Sequence, residues 1–367
     1  MMKIIFSANS YIHLYKLRFE IIKRLISDGH EIIVVGGEDK YKKKIEDTGI
    51  KCLSINISSN STNAFSDLKL LINYITIYKK IKPDIIFHST IKPNIYGSLA
   101  TRILNIRTIN TISGLGILFF EKKIMSAFLN FFYRISQRKV EKIIFQNDDD
   151  IKFFINRKMC TINQVEKISG SGVDTNYFDP SKFKKIKNEN FTFLFIGRMI
   201  KEKGIIEFIK SAKLLTKKYK DIDFIILGKF NKKVSGGLKE SEIFELISSN
   251  KSIKFNYFKH DIRNIIYQSN CVVLPSWREG MSNILLESCS LKTPVIASNV
   301  PGCKEIVKNN FNGFKHEVKN VDDLYKKMEL MYNLPKNNLE IFGENGRKAV
   351  IKSFNIIDVI DRFKNLL

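Results

Sequence analysis

The chain has 367 residues, 44% of them hydrophobic and 27% charged, enough apolar matter for two domains of ordinary size. Its 61 Lys+Arg against 37 Asp+Glu leave a net charge of +24, which implies a polyanionic partner or surface such as nucleic acid, an anionic membrane or phosphorylated substrates. Five cysteines, an odd number without a Cys-x-x-Cys pair, argue against a disulfide framework and a zinc site and for a reducing, cytoplasmic setting. The opening Met1-Met2-Lys3-Ile4-Ile5-Phe6-Ser7 has too short an apolar run for a signal peptide and is expected to form a strand over 3–7. Hydrophobic periodicity then predicts helix 14–28, strand 30–35, helix 41–48, strand 51–55, helix 67–80, strand 83–87, helix 94–104 and strands 107–111 and 142–145. No run approaches the length of a membrane-spanning helix.

The second half repeats the alternation without repeating the sequence. Strands are expected over 191–196, 223–227, 252–255, 271–274 and 294–297, and helices over 204–218, 241–248, 261–269 and 282–291. Strand–helix alternation of this kind means α/β domains with parallel sheets covered by helices on both faces. The glycine-rich stretch 170–182 marks the boundary, giving an N-terminal domain over 1–180 and a C-terminal one over 181–355.

The most informative stretch runs from Trp277 to Leu291 and holds Glu279 and Glu287. A strand delivers Glu279 in a loop, and a helix starting at Ser282 or Asn283 carries Glu287. The helix start leaves unpaired N–H groups at Gly280, Met281, Ser282 and Asn283 at its positive dipole end, a site for an anion such as a diphosphate. Neighbouring carboxylates accept hydrogen bonds from sugar hydroxyls. A second motif runs from Ile196 to Gly204. Gly197 ends a strand and lets the backbone approach a ligand, while Arg198 and Lys203 supply countercharge to phosphate oxygens. Taken alone, the two glutamates read better as surface charges than as a site, and the basic turn also fits a solvated one; the flanking residues reverse this.

The segment 274–298, Leu-Pro-Ser-Trp-Arg-Glu-Gly-Met-Ser-Asn-Ile-Leu-Leu-Glu-Ser-Cys-Ser-Leu-Lys-Thr-Pro-Val-Ile-Ala-Ser, resembles the signature of retaining glycosyltransferases of family 4. Gly197-Arg198 followed by Lys203-Gly204 is similar to that family's phosphate loop, and Ser171-Gly172-Val173-Asp174 to its Asn-Gly-Val-Asp linker, with Ser171 in place of asparagine. The segments 301–305 and 312–314 match its C-terminal pattern. The resemblance implies the GT-B fold, two Rossmann-like domains facing a cleft, with a final helix near 356–367 crossing back onto the first. It implies that Glu287 binds ribose hydroxyls and that Glu279 lies beside the transferred sugar. The amides of Gly280, Met281 and Ser282 would face sugar and phosphate, and Arg198 and Lys203 would grip the diphosphate, with Lys201 a bystander. The substrates implied are a nucleotide sugar, UDP-linked, carrying a hexose or N-acetylhexosamine, and a polyprenyl-diphosphate-linked saccharide, with no cofactor, no metal and no nucleic acid. A GT-B sugar-nucleotide epimerase is the alternative on the same fold, and a basic nucleic-acid-binding protein is the alternative from a different class, disfavoured because no known nucleic-acid module appears and the charge is spread along the chain. A nicotinamide dehydrogenase does not fit, because no Gly-x-Gly-x-x-Gly follows the first strand.

In the N-terminal half the signals are thinner. Ser7-Ala8-Asn9-Ser10 stands where family members often have a Gly-Gly pair, so His13 or Tyr11 is expected to face the acceptor instead. His88 either approaches the sugar or is a structural strand-end histidine, and Lys92 falls in register with the family's sugar-side residue. Ser113-Gly114-Leu115-Gly116 resembles a turn of lipid-linked oligosaccharide transferases, which brings Gly114 and Gly116 into the candidate site. Asp148-Asp149-Asp150 contains an Asp-x-Asp, but its place before a helical pattern fits capping rather than metal binding. The basic, aromatic stretch 121–139 is either an anionic-membrane contact, placing the chain on the inner face of the cytoplasmic membrane, or a core-facing helix with a solvated basic side.

Overall fold

Runs of isoleucine, valine and phenylalanine buried on both faces build two wholly parallel sheets. The structure, a computed structural model, describes residues 1–57, 63–115, 123–186, 189–230, 236–258 and 261–367. Two compact units form, Met1–Ser171 with Ile357–Leu367, and Gly172–Ile356. The first unit ends at Ser171, ahead of the boundary expected at 180.

In the first unit the strands are β1 (Lys3–Ala8), β2 (Glu31–Gly36), β3 (Lys51–Ser54), β4 (Ile85–Ser89), β5 (Arg107–Ile112), β6 (Lys142–Phe145) and β7 (Val165–Lys167). Their order is β3-β2-β1-β4-β5-β6-β7, so the chain reverses its direction of winding between β1 and β4. Alternate side chains face opposite cores. Ile5, Ile33, Val35 and Ile86 pack with Tyr74, Tyr78 and Tyr133 on one side, while Ile4, Phe6, Val34 and Phe87 pack with Leu14, Ile21 and Leu25 on the other. The last helix, Ile356–Lys364, adds Val359 and Phe363 to this second core, with Phe363 against Phe87 at 5.7 Å between ring centroids.

The helix expected over 14–28 is broken into Tyr11–Leu17 and Phe19–Ser27. Arg18, at φ −131°, separates them and turns its guanidinium fully inward, donating to Ser171 Oγ at 3.1 Å and lying over the Phe363 ring. Burial pulls the Arg18 pKa down to about 10.

In the second unit the strands are β8 (Phe191–Arg198), β9 (Ile222–Lys229), β10 (Ile253–Tyr257), β11 (Cys271–Leu274), β12 (Val295–Ser298) and β13 (Gly313–His316), ordered β10-β9-β8-β11-β12-β13. The winding reverses between β8 and β11, and in open α/β sheets ligands bind outside the carboxyl ends of the strands at such a switch point. Helix Ile205–Lys218 packs Phe208, Ile209 and Leu215 on one face of this sheet, and helix Asn283–Ser290 packs Leu285, Leu286 and Cys289 on the other.

Candidate functional site

The loops after β8 and β11 meet at the switch point of the second sheet. Gly204 makes the meeting close. It has φ +71°, and a Cβ there would lie 2.0 Å from the Pro275 carbonyl oxygen. Only glycine adopts that backbone in that space. The short 3-10 turn Lys201–Lys203 therefore sits directly over the loop that follows β11. Lys203 Nζ donates to Glu279 Oε1, and the two side chains are 19% and 14% exposed. Two residues assigned to separate tasks from the sequence are thus one partly buried ion pair. Trp277 fastens the same junction. Its N–H donates to the Glu202 carbonyl at 2.9 Å, its indole Nε1 donates to Glu207 Oε1 at 3.0 Å, and Lys319 lies 3.9 Å over its ring.

A third loop supports the glutamate loop from below. Glu279 N donates to Pro301 O at 3.2 Å, and Ser282 N donates to Gly302 O at 3.0 Å. The second bond corrects an expectation: the Ser282 amide is not turned toward a ligand, because Gly302 brings its carbonyl up to it. Ser282 instead caps helix Asn283–Ser290, its Oγ accepting from Leu285 N at 3.4 Å. The amides of Asn283 and Ile284 then remain among the helix-start donors that have no intrahelical acceptor. Glu287 lies one turn into the helix.

Gly302 has φ +79°, and a Cβ there would sit 2.6 Å from the Gly280 oxygen and 2.7 Å from the Glu279 carbonyl carbon. Gly302→Ala is expected to cost about 1–3 kcal/mol of stability and to displace the Glu279 loop. Turnover should then fall further than a comparable loss of stability elsewhere would cause. A variant with wild-type melting and wild-type rate would remove Gly302 from the site.

Arg198 ends β8, and its exposed guanidinium makes no hydrogen bond or ion pair among the described residues. Lys201 is exposed on the same turn. A Cβ on Gly197 would meet the Phe195 ring at 3.3 Å and Lys203 Cγ at 3.8 Å, so its bareness gives room to the lysine stem. Ser276, wholly buried, has an Oγ without a partner among the described residues. Sequence reasoning missed Ser276, Glu202 and Glu207. The signal for Glu207 was an acidic residue facing inward in the first turn of an otherwise apolar helix face.

In the first unit the outcome is mixed. His88 is fully buried, with Nε2 2.8 Å from Tyr78 Oη and Nδ1 3.0 Å from Asn110 Oδ1. Both ring nitrogens are occupied, so the sugar contact offered for His88 gives way to a structural role. Lys92 is likewise engaged: its Nζ is 2.7 Å from Asp67 Oδ1, and Asp67 also accepts from Tyr96 Oη at 2.8 Å. His13 is half-buried, its Nε2 enclosed without a partner, and loss of solvent pulls its pKa down to about 3. Gly114 has φ +107° and follows Ser113, whose Oγ is also buried without a partner. Gly116, Glu121 and Lys122 lie outside the described residues. Asp148–Asn156 is a helix capped by Asn147, which accepts from Asp150 N at 2.9 Å, while Asp148 pairs with Lys167 at 2.7 Å. The acidic run is therefore the first turn of the helix, next to its cap.

Burial holds His88 neutral, its pKa lowered from 6.5 to about 4. The unfolded chain takes up that proton more readily, so this contribution to stability is intact above about pH 6.5 and is lost as pH falls toward 4. The slope is about 1.4 kcal/mol per pH unit while the native ring stays neutral. His88→Gln should flatten the fall in melting temperature between these limits. An unchanged slope would mean that His88 titrates alike in both states.

The family model described as "Glycosyl transferases group 1" matches residues 178–349, and that described as "Glycosyl transferase 4-like" matches residues 3–147. An N,N'-diacetylbacillosaminyl-diphospho-undecaprenol alpha-1,3-N-acetylgalactosaminyltransferase of Campylobacter jejuni is 26% identical, over 97% of this chain and 96% of its own. The capsular polysaccharide biosynthesis glycosyltransferase CapM of Staphylococcus aureus is 29% identical over 79% of this chain and 78% of its own. A UDP-Gal:alpha-D-GlcNAc-diphosphoundecaprenol alpha-1,3-galactosyltransferase of Escherichia coli is 25% identical over 87% and 84%. Among solved structures, Anabaena Alr3699/HepE in complex with UDP superposes with a TM-score of 0.80 at 17% identity, over 100% of this chain and 99% of that one.

Proposed function

The chain belongs to the group 1 glycosyl transferases, with a 4-like N-terminal half and the GT-B fold, and on that premise we propose a retaining transfer between two substrates of surface polysaccharide synthesis. The donor is a UDP-linked hexose or N-acetylhexosamine, and the acceptor is a saccharide on a polyprenyl diphosphate. The relatives named for undecaprenyl-diphosphate acceptors, one of them with a UDP-linked donor, support both choices. The observation that carries the reading is the Lys203–Glu279 pair held at the head of helix Asn283–Ser290, with Glu287 one turn further in.

In this reading the diphosphate lies against the helix start, with Arg198 and Lys203 as countercharge while the bond to the anomeric carbon breaks. Glu287 accepts the ribose hydroxyls and Glu279 orients the sugar. The acceptor hydroxyl attacks from the face the diphosphate leaves, its proton passing to the departing phosphate oxygen, so the configuration is kept. No glutamate acts as nucleophile and no metal is required.

Among the described residues no helix is long and apolar enough to cross a membrane. We place the chain peripherally on an anionic membrane, the inner face of the cytoplasmic membrane. Helix Lys123–Ser136 supports this. It turns Leu129 and Tyr133 into the core and leaves Phe128 and Phe131 exposed beside exposed Arg134, Arg138 and Lys139.

The test is a screen of UDP-Gal, UDP-GalNAc, UDP-Glc and UDP-GlcNAc against GlcNAc-diphosphoundecaprenol in the presence of EDTA, read by mass spectrometry and anomeric NMR. A lipid-linked disaccharide with retained configuration is expected. Epimerised donor without a lipid product would favour the epimerase, and activity lost in EDTA but restored by manganese would reopen the metal question.

A further inference from the structure

We propose that a cavity at the carboxyl ends of β1, β2 and β3 is a subsite for an uncharged sugar residue of the acceptor; the inference rests on the transferase reading and gives its acceptor side a location. The cavity measures about 510 Å³ and is lined by Asn9 after β1, Glu38 after β2, and Ser54, Ile55, Asn56 and Ile57 at the end of β3. That volume is in the range of small-ligand sites, and the Asn9 end of the cavity borders the reversal of winding between β1 and β4, where ligands bind in such sheets.

The lining selects the ligand. Among the described residues that line it, the only formal charge is the Glu38 carboxylate, which repels a phosphate, and none is an aromatic ring on which a base could stack. What it offers is a set of hydrogen-bonding side chains, Asn9, Glu38, Ser54 and Asn56, next to the apolar surfaces of Ile55 and Ile57. A sugar ring presents that same pairing of hydroxyls and C–H faces.

Two of these polar side chains, Glu38 and Ser54, are tied into one hydrogen-bonded network. Ser54 Oγ donates to Glu38 Oε2, Lys42 Nζ lies 3.3 Å from the same oxygen, and Tyr11 Oη is 3.3 Å from Ser54 Oγ. Lys42 partly offsets the carboxylate but approaches it from within its own helix turn and is not among the lining residues. Hydrogen bonding from Ser54 holds the Glu38 pKa below its usual value, so the group stays an acceptor at neutral pH. The Asn9 backbone is clamped from both neighbouring loops: its N–H donates to Thr90 Oγ1 at 3.0 Å and its carbonyl accepts from Gly37 N at 3.2 Å. Thr90 itself is held at φ +74°, a conformation costly for a β-branched residue. The Asn9 Oδ1 is buried without a partner, an acceptor that a sugar hydroxyl would satisfy.

The experiment compares acceptor and donor kinetics of Glu38→Gln and Asn56→Ala, using GlcNAc-diphosphate on a short water-soluble prenyl chain. Each variant should raise the acceptor KM about tenfold, the step expected when a charge-assisted or neutral hydrogen bond is lost, with donor KM and melting temperature unchanged. Folded variants whose acceptor KM stays within about twofold of wild type would overturn the subsite. Should Glu38→Gln not fold, Asn56→Ala decides alone. If wild type transfers sugar to no acceptor, the transferase reading has failed separately. Saturation-transfer NMR with free N-acetylglucosamine then judges the cavity: a signal weakened in the variants supports it, and equal signals sink it.

Discussion

Lys203→Ala is expected to reduce turnover by about 10²–10³-fold, the loss typical when one preorganised donor is removed from a developing anion. Two effects combine. The diphosphate loses a positive charge at the moment it leaves, and Glu279, only 14% exposed, is left a carboxylate without its cation. The second effect acts on the enzyme before substrate arrives, so Lys203→Ala should also melt earlier. Glu279→Gln and the Lys203→Ala/Glu279→Gln pair separate the two: the double variant should recover stability but not rate. Arg198→Ala should lower the rate with little change in melting, because the guanidinium is exposed. Lys201→Ala, on the outer side of the same turn, should do little to either. Near-normal donor binding and turnover in Lys203→Ala would show that this loop does not hold the diphosphate.

The strands were the most legible part of the chain, since runs buried on both faces carry their own signal. Lys142–Phe145 and Cys271–Leu274 fall where periodicity puts them. Val165–Lys167 escaped notice because it is a three-residue, half-exposed edge strand with a charge at its centre. Gly313–His316 begins with glycine and has no β-branched residue, so its strand character comes from pairing with β12. The break at Arg18 was beyond local reading, because the partners that receive its inward-turned guanidinium include Ser171, 153 residues away. The site shows the same division. The family resemblance singled out Glu279, Glu287, Arg198 and Lys203 as candidates, but the contact between Lys203 and Glu279 joins residues 76 apart in sequence. The Gly302 carbonyl that claims the Ser282 amide, and the polar network that consumes both nitrogens of His88, depend equally on neighbours that only the folded sheet supplies.

Glu287→Ala should weaken binding of UDP itself. A carboxylate accepting ribose hydroxyls makes charge-assisted hydrogen bonds, each worth about 1.5–3 kcal/mol, which corresponds to roughly 10- to 150-fold in Kd. Glu279→Ala should behave differently. Its carboxylate is engaged by Lys203, and removing it frees that ammonium to face the diphosphate. UDP affinity is therefore expected to hold or rise, while turnover falls because the sugar loses its orienting acceptor. Calorimetry with UDP on both variants, beside their rates, distinguishes the two roles, and melting curves guard against misfolding. Loss of UDP affinity in Glu279→Ala with normal binding in Glu287→Ala would mean that the carboxylates are reversed. Normal binding in both, with normal rates, would remove the helix Asn283–Ser290 from the donor site altogether.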